Sequence, residues 1–230
     1  MRIKRFVCNA FQENCYVVSD GGRCIIIDPG FAPALPGQAG PAPGAFSRNG
    51  LQSNAEGAAS CPAGEIAALF DYLKSEALTP EAILLTHSHA DHILGVRPLA
   101  DGFGLPVYCA GSTIQTPTGA IACLPAKDGD IISGFKVIAT PGHTPDSICY
   151  YSESEHVIFT GDTLFAGAIG RTDLPGGDYD SEIRSIMEKL VFLPGETEIC
   201  PGHGPASTIA RERIQNPFLE PFNEREELDL

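Results

Sequence analysis

Basic residues are scarce in this sequence. There are 15 Lys and Arg residues against 29 Asp and Glu residues, which gives a formal net charge of -14 at pH 7. No block of lysines and arginines occurs along the chain, and a surface that binds nucleic acid needs such residues to neutralise phosphates. The composition therefore predicts that nucleic acid is not a partner.

Long apolar runs and paired cysteines are also missing. No stretch approaches the roughly 20 apolar residues that a membrane-spanning helix needs, and Met1–Cys8 carries charges instead of the apolar core of an export signal. The eight cysteines are scattered singly, without a C-x-x-C pair. We therefore expect no membrane partner, a cytoplasmic location, and reduced, mostly buried thiols.

What is present is typical of one globular domain. The 230 residues are 43% hydrophobic and 19% charged, which is enough for one well-buried core and short for two. We predict a single domain over residues 1–230, interrupted by a flexible insertion at residues 31–62. More than half of that segment is Ala, Gly and Pro, and it has neither helical nor strand period. A lid over the active site is the alternative interpretation.

Strand and helix patterns fall into two groups. Gly21-Gly22 between two apolar runs predicts a hairpin, and apolar residues at helical spacing predict a helix that begins at Gly64. Further strands are predicted at Ala82–Thr86, Pro106–Cys109, Phe135–Thr140, Ser147–Tyr151, Val157–Thr160 and Glu198–Cys200. Further helices are predicted at His92–Leu99, Asp180–Leu190 and Pro205–Gln215. Because helices follow each group of strands, we expect helices on the outer faces of two packed sheets.

The strongest chemical signal is the segment Thr86-His-Ser-His-Ala-Asp-His92, which follows a predicted buried strand. On an extended backbone His87 and His89 point the same way, because side chains alternate with period two. If a helix starts near Ala90, then Asp91 and His92 project in other directions from its first turn. The spacing therefore suits two adjacent metal ions.

Three more candidate ligands follow other predicted strands. His143, Asp162 and His203 each come after an apolar run, and each is preceded by glycine, which permits a sharp turn. Only His156 among the six histidines lies elsewhere, and we interpret it as an exposed turn residue. One histidine at a strand end is usually structural, but five with two aspartates predict a metal site.

Seven ligands serve two ions of four ligands each only if one ligand is shared. A carboxylate bridges two metals readily, so we assign Asp162 as the bridge. His87, His89 and His143 then bind one ion, and Asp91, His92 and His203 bind the other. Nitrogen and oxygen ligands suit two divalent transition-metal ions, for which zinc is expected and iron or manganese are alternatives.

The H-x-H-x-D-H segment, the Pro-Gly-His turn, the Gly-Asp turn and the late Gly-His, in this order, resemble the metallo-β-lactamase superfamily. The resemblance runs from Asp28 to Phe218 apart from the predicted insertion. It implies an α+β fold, the αββα sandwich of two mixed β-sheets with helices on the outer faces, and ligands on loops at one edge of the sheets.

Within the superfamily, Gly161-Asp-Thr-Leu-Phe165, Gly170-Arg-Thr-Asp173 and the late Asn216-Pro-Phe218 resemble the glyoxalase II-like hydrolases. This resemblance implies a small-molecule substrate, a thioester of the S-acylglutathione type. Asp91 is the expected catalytic residue, a ligand that also orients the attacking water. Arg171 is the candidate for binding a substrate carboxylate, and a salt bridge with Asp173 or Asp178 is its alternative role.

Three other functions stay open. A persulfide dioxygenase of the same superfamily has the same ligands and uses a single iron held by two His and one Asp. A non-catalytic metal-binding protein on this fold is the second. A nuclease of the superfamily is the third, and the acidic charge disfavours it. The sequence makes no prediction about oligomeric state.

Overall fold

A computed structural model of the chain describes residues 1–31 and 65–220. The described residues divide into two compact units. The first comprises those within Met1–Leu85, His89–Tyr108 and Ser112–Leu124, and the second comprises Thr86–Ser88, Cys109–Gly111 and the described residues from Pro125 onward. The single domain over residues 1–230 stays a prediction.

The predicted insertion at residues 31–62 lies outside the described residues except for Phe31. Phe31 is buried, and its ring lies edge-on to that of Phe6, with 5.9 Å between the ring centroids. The insertion and the lid therefore both stay predictions for residues 32–62.

The first unit contains most of a mixed six-stranded sheet. In chain order the elements from its first strand to its last are β1 (Arg2–Cys8), β2 (Glu13–Asp20), β3 (Arg23–Ile27), α1 (Ile66–Ser75), β4 (Thr79–Leu84), α2 (Ala90–Ile93), α3 (Val96–Phe103), β5 (Val107–Cys109), β6 (Thr113–Thr116), β7 (Gly119–Ala122) and β8 (Leu124–Pro125). The sheet order is β1-β2-β3-β4-β5-β8, and β6 and β7 form a separate hairpin. Strands β1 to β3 are antiparallel, whereas β4 is parallel to β3 and β5 is parallel to β4.

The predicted glycine hairpin is confirmed between β2 and β3. Asp20 pairs with Arg23 across a two-residue turn, and both turn residues have positive φ, 55° at Gly21 and 85° at Gly22. Such angles are those of a type I′ turn, which matches the twist of the flanking strands. The strands then enter the core, where Val17 and Ile26 are fully buried.

The helices of the first unit differ from prediction at one point. Helix α1 buries Ile66, Leu69, Phe70 and Leu73 as expected. The single helix predicted at His92–Leu99 is wrong, because the structure has two helices, α2 and α3. The N–H of Gly95 donates to the carbonyl of Pro29 at 2.7 Å, and Pro98 has no N–H with which to continue a helix from α2.

The second unit contains a second mixed six-stranded sheet. In chain order its elements are β9 (Ile131–Ile132), β10 (Phe135–Ala139), β11 (Ile148–Ser152), β12 (Val157–Gly161), β13 (Leu164–Phe165), β14 (Ala168–Ile169), α4 (Tyr179–Ser185), β15 (Glu198–Pro201), β16 (Ser207–Thr208) and α5 (Ile209–Gln215). The sheet order is β16-β15-β12-β11-β10-β9, and β13 and β14 form a separate hairpin. Every residue of β11 and β12 is buried, as expected of central strands that read as apolar runs.

The helices of the second unit also depart from prediction at their ends. Helix α4 starts after Asp178, whose side chain accepts from the N–H of Ser181, and the chain continues as a π-helical turn over Ile186–Leu190. The helix predicted from Pro205 is wrong in its first four residues, because α5 begins at Ile209. Thr208 caps α5 with its hydroxyl, and it also pairs with β15 as part of β16.

Seven of the eight cysteines lie in the described part of the chain, and all seven are free and buried. This confirms the predicted reduced thiols at those positions. Burial raises the pKa of Cys149 to about 12, so its thiol stays protonated and behaves as a small apolar side chain. Among the helices of residues 1–31 and 65–220, none is long and apolar enough to cross a membrane.

Candidate metal centre

Three predicted ligands follow strands that run in the same direction through the sheet of the second unit. Strands β10 and β12 are both antiparallel to β11 between them, and β15 is parallel to β12. The three strands therefore end at one sheet edge, where the turns carry His143, Asp162 and His203. His87 belongs to the same unit, and the carbonyl of Thr86 before it accepts from a β11 N–H at 2.8 Å.

Asp162 lies close to two of these histidines. Its Oδ2 is 3.6 Å from Nε2 of His143 and 3.5 Å from Nε2 of His203. The rings of His87 and His143 lie edge to face, with 5.0 Å between their centroids. The nitrogen–oxygen distances are too long for hydrogen bonds. They match the separation of about 3.4 Å between two ligands that each lie about 2.1 Å from one tetrahedral ion.

A hydrogen bond on the far side of the His143 ring assigns its tautomer. Nδ1 lies 2.7 Å from the backbone carbonyl oxygen of Arg171. A carbonyl only accepts, so Nδ1 donates, and Nε2 is the ring nitrogen left for a metal. Nε2 and the Asp162 oxygen, 3.6 Å apart, are close enough to be ligands of one cation. The donor set of the second unit therefore fits a metal ion, with the histidine oriented by an outer hydrogen bond.

A close backbone approach explains the glycine before Asp162. Gly161 has a φ of 51°, and a Cβ at this position would collide with the side chain of Thr86. The carbonyl of Gly161 accepts from the N–H of Gly202 at 2.7 Å, which joins the turns before Asp162 and His203. Oγ1 of Thr86 is 3.1 Å from Nδ1 of His87, so Thr86 contacts one predicted ligand and lies against the glycine that precedes another.

The glycine before His143 makes room for a buried carboxylate. A Cβ at Gly142 would collide with the backbone and the side chain of Glu182. Oε2 of Glu182 accepts from the backbone N–H of His143 at 2.8 Å. Burial raises the pKa of Glu182 to about 8, although hydrogen bonds from the backbone N–H groups of His143 and Gly170 act in the opposite direction. Glu182 was not predicted as part of the site, because its spacing identifies it only as a helical residue.

The first unit carries the other three predicted ligands around the start of α2. His89 has extended backbone angles and immediately precedes the helix, and Asp91 and His92 lie in its first turn. This is the predicted helix start near Ala90. Nε2 of His92 is 3.9 Å from Oδ2 of Asp91, again outside hydrogen-bond range.

Two buried acidic side chains lie near Nδ1 of His92, and neither was predicted as part of the site. Nδ1 of His92 is 3.1 Å from Oδ2 of Asp28 and 3.9 Å from Oε1 of Glu13, and all three side chains are buried. Burial raises the pKa of Glu13 well above its usual range, although His92 lowers it. A histidine that donates Nδ1–H to a carboxylate keeps Nε2 available for a metal.

A side-chain amide fixes the backbone around the Asp91 turn. Nδ2 of Asn9 donates to the carbonyl of Gly30 and to that of Asp91, both at 2.9 Å. A Cβ at Gly30 would collide with the Asp91 carbonyl and with Glu13. The turns after β1 and β3 are thereby joined to the start of α2.

Arg171 has the salt bridge that was its alternative role. Its Nε and its terminal nitrogen donate to the two carboxylate oxygens of Asp173, both at 2.7 Å. This bidentate pair lowers the pKa of Asp173 to about 2. Both side chains are exposed, and substrate binding by the guanidinium stays a prediction. His156 lies in an exposed turn, as predicted.

Relatives with similar sequences carry names of metallo-hydrolases. The chain is 31% identical over 243 residues to a protein named probable metallo-hydrolase YqgX from Bacillus subtilis, covering 97% of this chain and all of that protein. It is 30% identical over 241 residues to a protein named hydroxyacylglutathione hydrolase GloC from Haemophilus influenzae, covering 95% of this chain and 98% of that protein.

Solved structures extend the similarity to the fold. TTHA1623, in a di-iron-bound form, has a TM-score of 0.74 and 31% identity, covering 94% of this chain and all of that chain. ETHE1 from Myxococcus xanthus has a TM-score of 0.73 and 26% identity, covering all of this chain and 92% of that chain. These similarities confirm the α+β class with two mixed sheets. A sequence model of the metallo-beta-lactamase superfamily matches residues 8–203, and the chain belongs to that superfamily.

Proposed function

We propose that this member of the superfamily is a hydrolase of thioesters of the S-acylglutathione type, which it cleaves with two divalent transition-metal ions, zinc being the expected ion. The observation that carries the proposal is the placement of the Asp162 carboxylate 3.6 Å and 3.5 Å from the Nε2 atoms of His143 and His203. Similarity to GloC over nearly the whole chain supports the substrate class.

The proposed ligand sets are those that the sequence predicts. His87, His89 and His143 would hold one ion, Asp91, His92 and His203 would hold the other, and Asp162 would be shared. Only Ser88 separates His87 from His89 along the chain, so the backbone keeps these two proposed ligands near each other. The His143–Arg171 and His92–Asp28 hydrogen bonds support the assignment, because both leave Nε2 for the metal.

Divalent ions at such a site supply Lewis acidity and lower the pKa of water toward about 7. The side chains have three further roles in the proposal. Asp91 accepts a hydrogen bond from the attacking water at a carboxylate oxygen and thereby orients it. Because a thiolate is a good leaving group, its departure needs little proton donation from Asp91. Arg171 binds a substrate carboxylate through its planar guanidinium.

The second candidate is the persulfide dioxygenase, which uses a single iron. The similarity to TTHA1623 in its di-iron-bound form makes iron a specific alternative to zinc. The candidates differ in reaction, because hydrolysis consumes water and releases a thiol, whereas the dioxygenase consumes molecular oxygen.

Two assays on one preparation distinguish the candidates. Purified protein is given S-lactoylglutathione, and the release of free thiol and the uptake of oxygen are measured in parallel. The proposal expects thiol release without oxygen uptake, and loss of activity on chelation. Oxygen uptake with glutathione persulfide and no thioester cleavage would establish the dioxygenase, and absence of both activities would place the substrate outside glutathione chemistry.

A further inference from the structure

A short hairpin of the second unit follows the predicted bridging ligand directly. Strands β13 and β14 pair Leu164 with Ile169 and Phe165 with Ala168, across a two-residue turn. Gly167 in this turn has a φ of 73°, which L side chains rarely adopt. The hairpin starts two residues after Asp162, so it lies next to this predicted ligand along the chain.

Phe165 places an aromatic ring beside a predicted ligand. The ring centroids of Phe165 and His203 are 6.4 Å apart, with an interplanar angle of 62°. Leu164 is fully buried in the core of the second unit, whereas Phe165 is half-buried. The hairpin thus anchors one side chain in the core and leaves an apolar ring accessible next to His203.

Two buried polar residues of the C-terminal region contact the hairpin backbone. Glu212 on α5 is 1% exposed, and Asn216 after it is fully buried. The N–H of Gly167 donates to Oε2 of Glu212 at 2.7 Å, and Nδ2 of Asn216 donates to the carbonyl of Ala168 at 3.1 Å. One backbone N–H and one backbone carbonyl of the hairpin are therefore hydrogen-bonded, the first by a residue of α5 and the second by the residue after α5.

The two polar residues also depend on each other. Nδ2 of Asn216 donates to Oε2 of Glu212 at 2.9 Å, and the hydroxyl of Ser207 donates to Oε1. A buried carboxylate that loses one hydrogen-bond donor loses part of the compensation for its desolvation. Moving the hairpin would remove the Gly167 donor, so the network opposes any displacement of Phe165.

We propose that Glu212 and Asn216 are positioning residues which hold the β13–β14 hairpin, and that Phe165 on this hairpin is a fixed apolar contact for the acyl group of the substrate. The second half rests on the proposed thioester hydrolysis. The network also gives a role to Asn216-Pro-Phe218, since the Asn216 amide bonds the hairpin while its Oδ1 accepts from the N–H of Phe218 at 3.1 Å.

The positioning role is tested by amide hydrogen exchange in the metal-loaded protein. Glu212→Ala removes the acceptor of the Gly167 N–H and should speed exchange of that amide about fivefold to tenfold. Asn216→Ala removes the hydrogen bond to Ala168 and should speed it in the same direction, while amides of β11 and β12 keep their protection. Gln215→Ala is the matched control, because Gln215 is exposed on α5 and its side chain contacts Arg211. Unchanged Gly167 exchange in both variants would overturn the positioning role.

The contact role is tested by substrate preference. Phe165→Ala should raise KM for S-acylglutathiones with longer apolar acyl chains more than for S-lactoylglutathione, with kcat little changed, and Phe165→Leu should restore most of the difference. Asn216→Ala should shift the preference in the same direction. Equal changes for both substrates would overturn the contact. A wild-type protein without thioesterase activity would refute the proposed function and the contact together, whereas Gly167 exchange would still decide the positioning role.

Discussion

Oδ2 of Asp28 lies 3.1 Å from Nδ1 of His92, and both side chains are buried. The carboxylate orients the ring and makes its other nitrogen a stronger ligand. Asp28 directly follows strand β3, whereas His92 lies in α2. The pair therefore connects two segments that are far apart in sequence.

Asp28→Asn should weaken metal binding about tenfold to a hundredfold, as loss of an outer carboxylate does at other sites. The amide oxygen still accepts from Nδ1, so the ring keeps its tautomer and loses only the nearby charge. Competition with a chromogenic chelator measures the affinity. Asp20→Asn, at the exposed end of β2, is the control, and equal affinities in the two variants would show that Asp28 does not support the ligand.

Gly161→Ala should destabilise the metal-free protein more than Gly134→Ala. Gly134 has a φ of 86° and no atom near the position of a Cβ, whereas Gly161 has a φ of 51° and Thr86 at that position. In both variants the left-handed backbone lowers the free energy of unfolding by about 1–2 kcal/mol, and the collision lowers it by about 1–3 kcal/mol more in Gly161→Ala. Urea unfolding measures the difference, and similar losses would mean that the turn relaxes away from Thr86.

Stability of the metal-free protein should depend on Glu182 between pH 5 and pH 8. The carboxyl releases its proton near 4.5 when unfolded and near 8 when folded, so the native state binds the extra proton and stability falls as pH rises through this window. The slope is at most about 1.4 kcal/mol per pH unit. Glu182→Gln should flatten it, and Glu188→Gln, exposed in the following π-helical turn, should not. A slope that survives Glu182→Gln would assign it to other groups.

Arg171→Ala should raise KM several-fold for an S-acylglutathione while leaving kcat little changed, because it removes binding shared by ground state and transition state. Asp173→Ala frees the guanidinium from its present partner, so it should leave KM equal or lower. Steady-state kinetics with both variants decide the role. An unchanged KM in Arg171→Ala would restrict the side chain to its surface ion pair.

Central strands were predictable because β11 and β12 are apolar runs of the right length. The hairpin of β13 and β14 was not, since two-residue strands have no period and this hairpin depends on Glu212 and Asn216. The break between α2 and α3 has a local signal in Pro98, whereas the Gly95–Pro29 hydrogen bond at the break joins residues far apart in sequence and was not predictable.

His143, Asp162 and His203 could be predicted as ligands because each follows a strand and a glycine, and the other four because they lie close together between His87 and His92. The groups that orient them were not predictable. Asp28 and Glu182 have ordinary local sequences, and their roles depend on partners 64 and 39 residues away. The bidentate Arg171–Asp173 pair, in contrast, joins residues two positions apart, and the sequence predicts it as one of two alternatives.

The most direct test of the two-ion site is the metal content of protein purified without added metal, compared between the wild type and Asp162→Ala. Elemental analysis should find close to two transition-metal ions per chain in the wild type, since three ligands on each side share one carboxylate. Asp162→Ala should lose both ions and retain its fold by circular dichroism. One iron per chain in the wild type, or two tightly bound ions in Asp162→Ala, would contradict the shared ligand.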